Sequence, residues 1–78
     1  MRLYEIWREG FKSAGDIQRA ALLGKFKAEN FEMAIHRYNI KAAMGEVSVL
    51  IKKKADGEWY WGKSQVFETK YKAQKKYG

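Results

Sequence analysis

The chain has 78 residues, of which 46% are hydrophobic and 32% charged, with Pro 0 and Cys 0. That is the composition of one small folded domain, 1–78, rather than of a disordered or low-complexity segment. With no cysteine and His 1, the chain itself offers no disulfide, thiolate metal site, cysteine nucleophile or histidine cluster.

Sixteen Lys+Arg face nine Asp+Glu, a net charge of +7. The excess is uneven. Residues 1–39 hold seven basic and five acidic side chains, and residues 40–78 hold nine and four. A basic surface attracts polyanions such as nucleic acid or an acidic protein. A solvated lysine-rich surface gives the same composition. No apolar run approaches the ~20 residues of a membrane span, and 1–10 carries no signal-type apolar region. A cytoplasmic protein that does not engage membranes is expected.

Residues 3–11 are aromatic and β-branched enough for a strand. Leu3, Glu5, Trp7, Glu9 and Phe11 point one way, Tyr4, Ile6 and Arg8 the other. Apolar groups on both faces predict a central strand. Residues 12–16 are a turn-rich connector. A second strand is expected over 18–28, with Ala20, Leu22, Gly24, Phe26 and Ala28 on one face, although Ala20 to Leu23 could also start a helix.

Asn30 is a good cap for a helix in which Phe31, Ala34, Ile35, Tyr38 and Ala42 form one apolar stripe, ended by Gly45. Val47, Val49 and Ile51 alternate with polar residues, so a third strand begins near Glu46. Asp56-Gly57 marks a hairpin, and an aromatic strand returns from Glu58 to Phe67. Residues 68–77 read as a short basic helix. The expected fold is α+β in the order ββα-ββα, a four-stranded antiparallel sheet with both helices on one face. Gly24-Lys25 before Phe31-Glu32, and Gly62-Lys63 before Phe67-Glu68, form a weak internal echo.

The string Ile6-Trp7-x-Glu9-Gly10-Phe11, Leu22-Leu23-Gly24, Ala28-x-x-Phe31-Glu32-x-Ala34, Trp61-Gly62, Phe67-Glu68, Ala73-x-Lys75-x-Tyr77-Gly78 spans nearly the whole chain. It resembles small uncharacterised proteins of phages and prophages of Gram-positive bacteria. The resemblance implies a shared fold and a viral accessory setting in the host cytoplasm, and it carries no catalytic residue. Lys63-Ser64-Gln65-Val66 stands where that pattern has a cysteine-containing run.

Catalytic chemistry finds little to build on. His36 lies off the apolar stripe, and Ser13, Ser48 and Ser64 fall on other elements. Gly24-Lys25 and Gly62-Lys63-Ser64 lack the spacing of a phosphate loop. Glu5 and Glu9 share a strand face but read as solvated charges. A non-enzymatic protein with no cofactor, metal or small-molecule substrate is expected.

Three surfaces remain. The first is the open sheet face, where Trp59, Trp61 and Lys63 would lie in line beside Lys52 and Lys54, as rings and cations do in single-strand binders. One of the tryptophans is also needed to fill the core. The second is the terminal helix, with Lys72, Lys75 and Lys76 opposite Phe67 and Tyr71. The third is the back of the first helix, where Met33, Arg37, Ile40 and Met44 suit a host protein or a homodimer. Polyanion binding is the leading expectation, and inhibition or adaptation of a host factor through the Met33 face is the alternative.

Overall fold

A computed structural model describes residues 1–13, 15–45 and 49–74. It is α+β. Strand β1 (Arg2–Arg8) is followed by a small hairpin of β2 (Phe11–Ser13) and β3 (Asp16–Gln18), then β4 (Ala21–Ala28) and helix α1 (Phe31–Ala43). Strands β5 (Ile51–Lys53), β6 (Trp59–Trp61) and β7 (Ser64–Phe67) come next, and helix α2 (Lys70–Gln74) closes the described chain. The main sheet is antiparallel with order β4-β1-β7-β6-β5.

The sheet has five strands rather than the expected four. The aromatic strand predicted over 58–67 is two strands, because Gly62-Lys63 makes a two-residue turn between Trp61 and Ser64, which pair. Gly62 has φ 62°, a backbone conformation that residues with a side chain rarely adopt, and glycine takes the first central position of such a turn without that strain. The connector over 12–16 is itself part of the β2–β3 hairpin. The order is therefore ββββα then βββα. Gly24 sits within a strand and Gly62 in a turn, so the internal echo does not map onto equivalent positions.

β1 is central, as its two-sided apolar pattern predicted, flanked by β4 and β7. Tyr4 and Ile6 face the core, where they meet Ala34, Ile35, Tyr38 and Ala42 of α1, together with Ile51 and Val66. The predicted stripe on α1 is the buried one, with Phe31 half-buried at its start. Asn30 caps the helix through its Oδ1, which accepts from the Met33 N–H at 2.9 Å. The Gly45 N–H returns to the Ala42 carbonyl at 3.0 Å and stops it.

Alternation in β4 breaks at a bulge. Ile6 pairs Gly24 and Trp7 pairs Leu22, so Leu23 is the extra residue. Leu22 is consequently 40% exposed and Leu23 packs on the core, the reverse of the expected facing. At Gly24 an added Cβ would come within 2.7 Å of the Phe26 ring, which folds over the glycine and meets Tyr38 edge-on.

The helices do not share one face. α1 covers the Ile6 side, whereas α2 contacts β7 and β1 and holds the Lys70 ammonium 5.7 Å from the ring of Trp7, on the opposite side of β1. Ala73, 1% exposed and outside the main core cluster, is the buried residue of α2. Tyr71, placed opposite the lysines by its spacing, is 75% exposed.

Candidate functional site

The geometry of the β5–β6 hairpin begins at its loop. The Lys54 N–H donates to Glu58 O at 3.0 Å, and the Gly57 N–H to Lys54 O at 2.9 Å, which closes the loop over Ala55-Asp56-Gly57. That closure sets the pairs Ile51↔Trp61, Lys52↔Tyr60 and Lys53↔Trp59. Paired residues share a face, and Ile51, 2% exposed, lies in the core. So Trp61 and Trp59 point to the α1 side, and Lys52, Lys54 and Tyr60 point outward.

This divides the residues that the sequence grouped together. Trp59 and Trp61 are half-buried against the core and do not line the open face. The Trp61 indole N–H donates to the Tyr38 hydroxyl at 3.0 Å, which in turn donates to Val49 O at 3.0 Å. Trp59 meets the exposed His36 ring edge-on at 6.1 Å, and the Lys53 ammonium lies 5.8 Å from its centroid. A small core recruits its largest side chains, and that outweighs their use outside.

On the outer face the aromatic is Tyr60, which the sequence analysis left out. Its ring lies under the Lys54 ammonium at 4.2 Å. Its hydroxyl donates to Asp56 Oδ2 at 2.6 Å, and Asp56 Oδ1 accepts the Glu58 N–H at 2.9 Å. The bond to Asp56 pushes the Tyr60 phenol up to about 12, and the same bond holds the Asp56 carboxyl below its ordinary value. Tyr60 is therefore a neutral, oriented ring across the neutral range.

Beside it lies an open groove of about 570 Å³, lined by Val49, Leu50, Lys52, Lys53, Lys54, Tyr60 and Gly62. Its lining holds three lysines and no carboxylate. Among the described residues the ion pairs are Lys25–Glu5 at 3.8 Å and Lys72–Glu68 at 3.4 Å, neither of which engages the groove. Lys63 follows Gly62 in the turn and is exposed. β5 is held to α1 by Asn39, whose amide brackets Ile51. Asn39 Nδ2 donates to Ile51 O at 2.9 Å, and Ile51 N donates to Asn39 Oδ1 at 2.8 Å. These bonds occupy backbone groups that an edge strand otherwise leaves open.

The other expected sites fall elsewhere. Lys72, on α2, is ion-paired with Glu68, while Lys75 and Lys76 lie outside the described residues. Met33, Ile40 and Met44 are 47%, 61% and 74% exposed on the outside of α1, with Arg37 exposed beside them. Glu5 accepts the Trp7 indole N–H at 2.9 Å. Glu9 Oε1 accepts the Gln65 N–H at 3.2 Å and its own N–H donates to Gln65 O at 2.8 Å. Both carboxylates thus have structural partners. Among the described residues no group of three His, Asp or Glu could hold a metal ion, and no helix is long and apolar enough to cross a membrane.

No protein-family model, curated protein or solved structure matches this chain.

Proposed function

We propose that this chain is a non-enzymatic accessory protein of the phage type that binds a polyanion, a nucleic acid or nucleoprotein, through the β5–β6 groove. The observation that carries the proposal is the lining itself, with Lys52 and Lys54 facing outward and no carboxylate among the lining residues. Lys52 and Lys54 turn outward beside the groove, whereas the Lys53 ammonium lies over Trp59 on the α1 side, so two ammonium groups are offered to an anion. The resemblance to phage and prophage proteins supplies the setting, the host cytoplasm.

Fluorescence anisotropy with a labelled oligonucleotide tests it at low and physiological salt. Two phosphate contacts, from Lys52 and Lys54, predict a log–log salt slope of about −1.5 to −2. The double variant Lys52→Glu/Lys54→Glu should abolish retention. Unchanged retention in that variant, or no binding at low salt, removes the proposal.

A second proposal rests on the exposed apolar triplet Met33, Ile40 and Met44 on α1. It is that the protein inhibits or adapts a host factor, or pairs with itself, through this face. Such an interface responds little to salt. A protein that sediments as a monomer at every concentration and captures no host partner would exclude it.

A further inference from the structure

We infer that Tyr60 is the base-stacking ring of this groove and that its ligand is single-stranded nucleic acid, an inference that rests on the polyanion proposal above. Among the groove's lining residues Tyr60 is the aromatic one. It stands between Lys52 on β5 and Gln65 on β7, its cross-strand partners, so a backbone tracked by the lysines passes beside the ring.

The ring is already oriented. Its hydroxyl is tied to Asp56 at 2.6 Å, and Asp56 is tied to the Glu58 N–H at 2.9 Å. A ring with a fixed plane loses little freedom on stacking. Its face is occupied in the free protein by the Lys54 ammonium, 4.2 Å from the centroid. That position is where a base would lie. A cation over an exposed ring contributes a factor of about two to five in the equilibrium. Base stacking on an aromatic side chain contributes about 5- to 150-fold. The base displaces the ammonium, and Lys54, whose side chain is exposed, turns to a flanking phosphate. Lys54 thus covers the ring when the groove is empty and neutralises charge when it is filled.

The other large rings do not compete. Trp59 and Trp61 are packed against the core, and Trp7 lies opposite Phe67 beside Lys70, outside the groove. A duplex keeps its bases stacked on one another and offers none to Tyr60. An acidic peptide would use the lysines and leave the ring idle.

The test uses three labelled ligands of equal length: an oligothymidylate, an abasic deoxyribose-phosphate strand, and a duplex. The wild-type protein should bind the oligothymidylate about 5- to 150-fold more tightly than the abasic strand. Tyr60→Leu should erase that difference and keep the salt slope. Tyr60→Phe, which loses only the bond to Asp56, should retain it, and so should Asp56→Asn. Circular dichroism checks that each variant folds, and the Phe variant keeps the test decisive if the Leu variant does not. If wild-type protein binds the thymidylate and abasic strands equally, with a steep salt slope, stacking is wrong and the polyanion proposal stands. If no strand binds with salt dependence, both fall, and if polyglutamate displaces the strands equally well, stacking is wrong and the groove is a general polyanion site.

Discussion

Asn39→Ala measures what holds the β5–β6 hairpin to the helix. The Asn39 amide makes two hydrogen bonds to Ile51, at 2.9 and 2.8 Å, and Ile51 is 2% exposed. Alanine leaves the Ile51 N–H and C=O without partners, and an unpaired buried polar group costs about 1–3 kcal/mol. β5 is the sheet edge, so water reaches these groups in part, and the low end applies to each, about 2–3 kcal/mol together. Alanine favours a helix interior over asparagine by roughly 0.6 kcal/mol, which offsets some of the loss. The net destabilisation is about 2 kcal/mol. For a domain of this size that lowers Tm by roughly 8–16 °C. Urea and thermal unfolding followed by circular dichroism give the value, and hydrogen exchange at the Ile51 amide gives its location. A Tm within about 3 °C of wild type, with Ile51 protection unchanged, would show that water substitutes for Asn39 and that α1 does not hold β5.

Tyr38→Phe removes a hydroxyl that accepts from Trp61 and donates to Val49, both at 3.0 Å. It should cost about 1–2 kcal/mol and alter the Trp61 emission spectrum, and unchanged emission at wild-type stability would contradict the network. Gly62→Ala meets nothing within 4 Å, so its cost is purely that of a left-handed residue, about 1–2 kcal/mol in urea unfolding. Near-zero cost would mean the β6–β7 turn has another shape. The Tyr60–Asp56 bond raises Tyr60 to about 12 and lowers Asp56 from 3.8. Its stabilisation is complete between the ordinary ranges of the two groups. It is lost upward as Tyr60 ionises near 12 and downward as pH falls through the lowered Asp56 value. Ultraviolet difference titration of Asp56→Asn against wild type should show a phenol moved down from about 12, and identical titration curves would disprove the bond.

Much of this fold could be read from residue spacing, because one burial period dominated where the helix forms. Asn30, the Phe31 to Ala42 stripe and Gly45 delimit α1 almost to the residue. β1 was recognisable as central from apolar groups on both sides. Alternation failed in β4, where a single inserted residue, Leu23, exchanged the two faces, and a bulge leaves no mark in an Ala-Ala-Leu-Leu run. It failed again at Gly62-Lys63, where the aromatic run continues in composition across a turn. The placement of α2 was hidden for a different reason. Its buried residue is Ala73 and its exposed one is Tyr71, the inverse of what hydrophobicity alone suggests.

The site was within reach of the sequence and was missed for want of one connection. Val49 and Ile51 already set an inward phase, which turns Lys52 and Lys54 outward. The Asp56-Gly57 loop then carries that phase across the hairpin by register, so that Trp59 and Trp61 follow Ile51 while Tyr60 follows Lys52. Taken separately, the two strands left the choice of face open. Taken as a register, they assign it. The same alternation makes the proposed binding face separable from the core. Lys52, Lys54 and Tyr60 can be changed while Ile51, Trp59 and Trp61 keep their packing. Variants on the outer face therefore test the proposed binding, and variants at Tyr38, Asn39 or Trp61 test the scaffold beneath it.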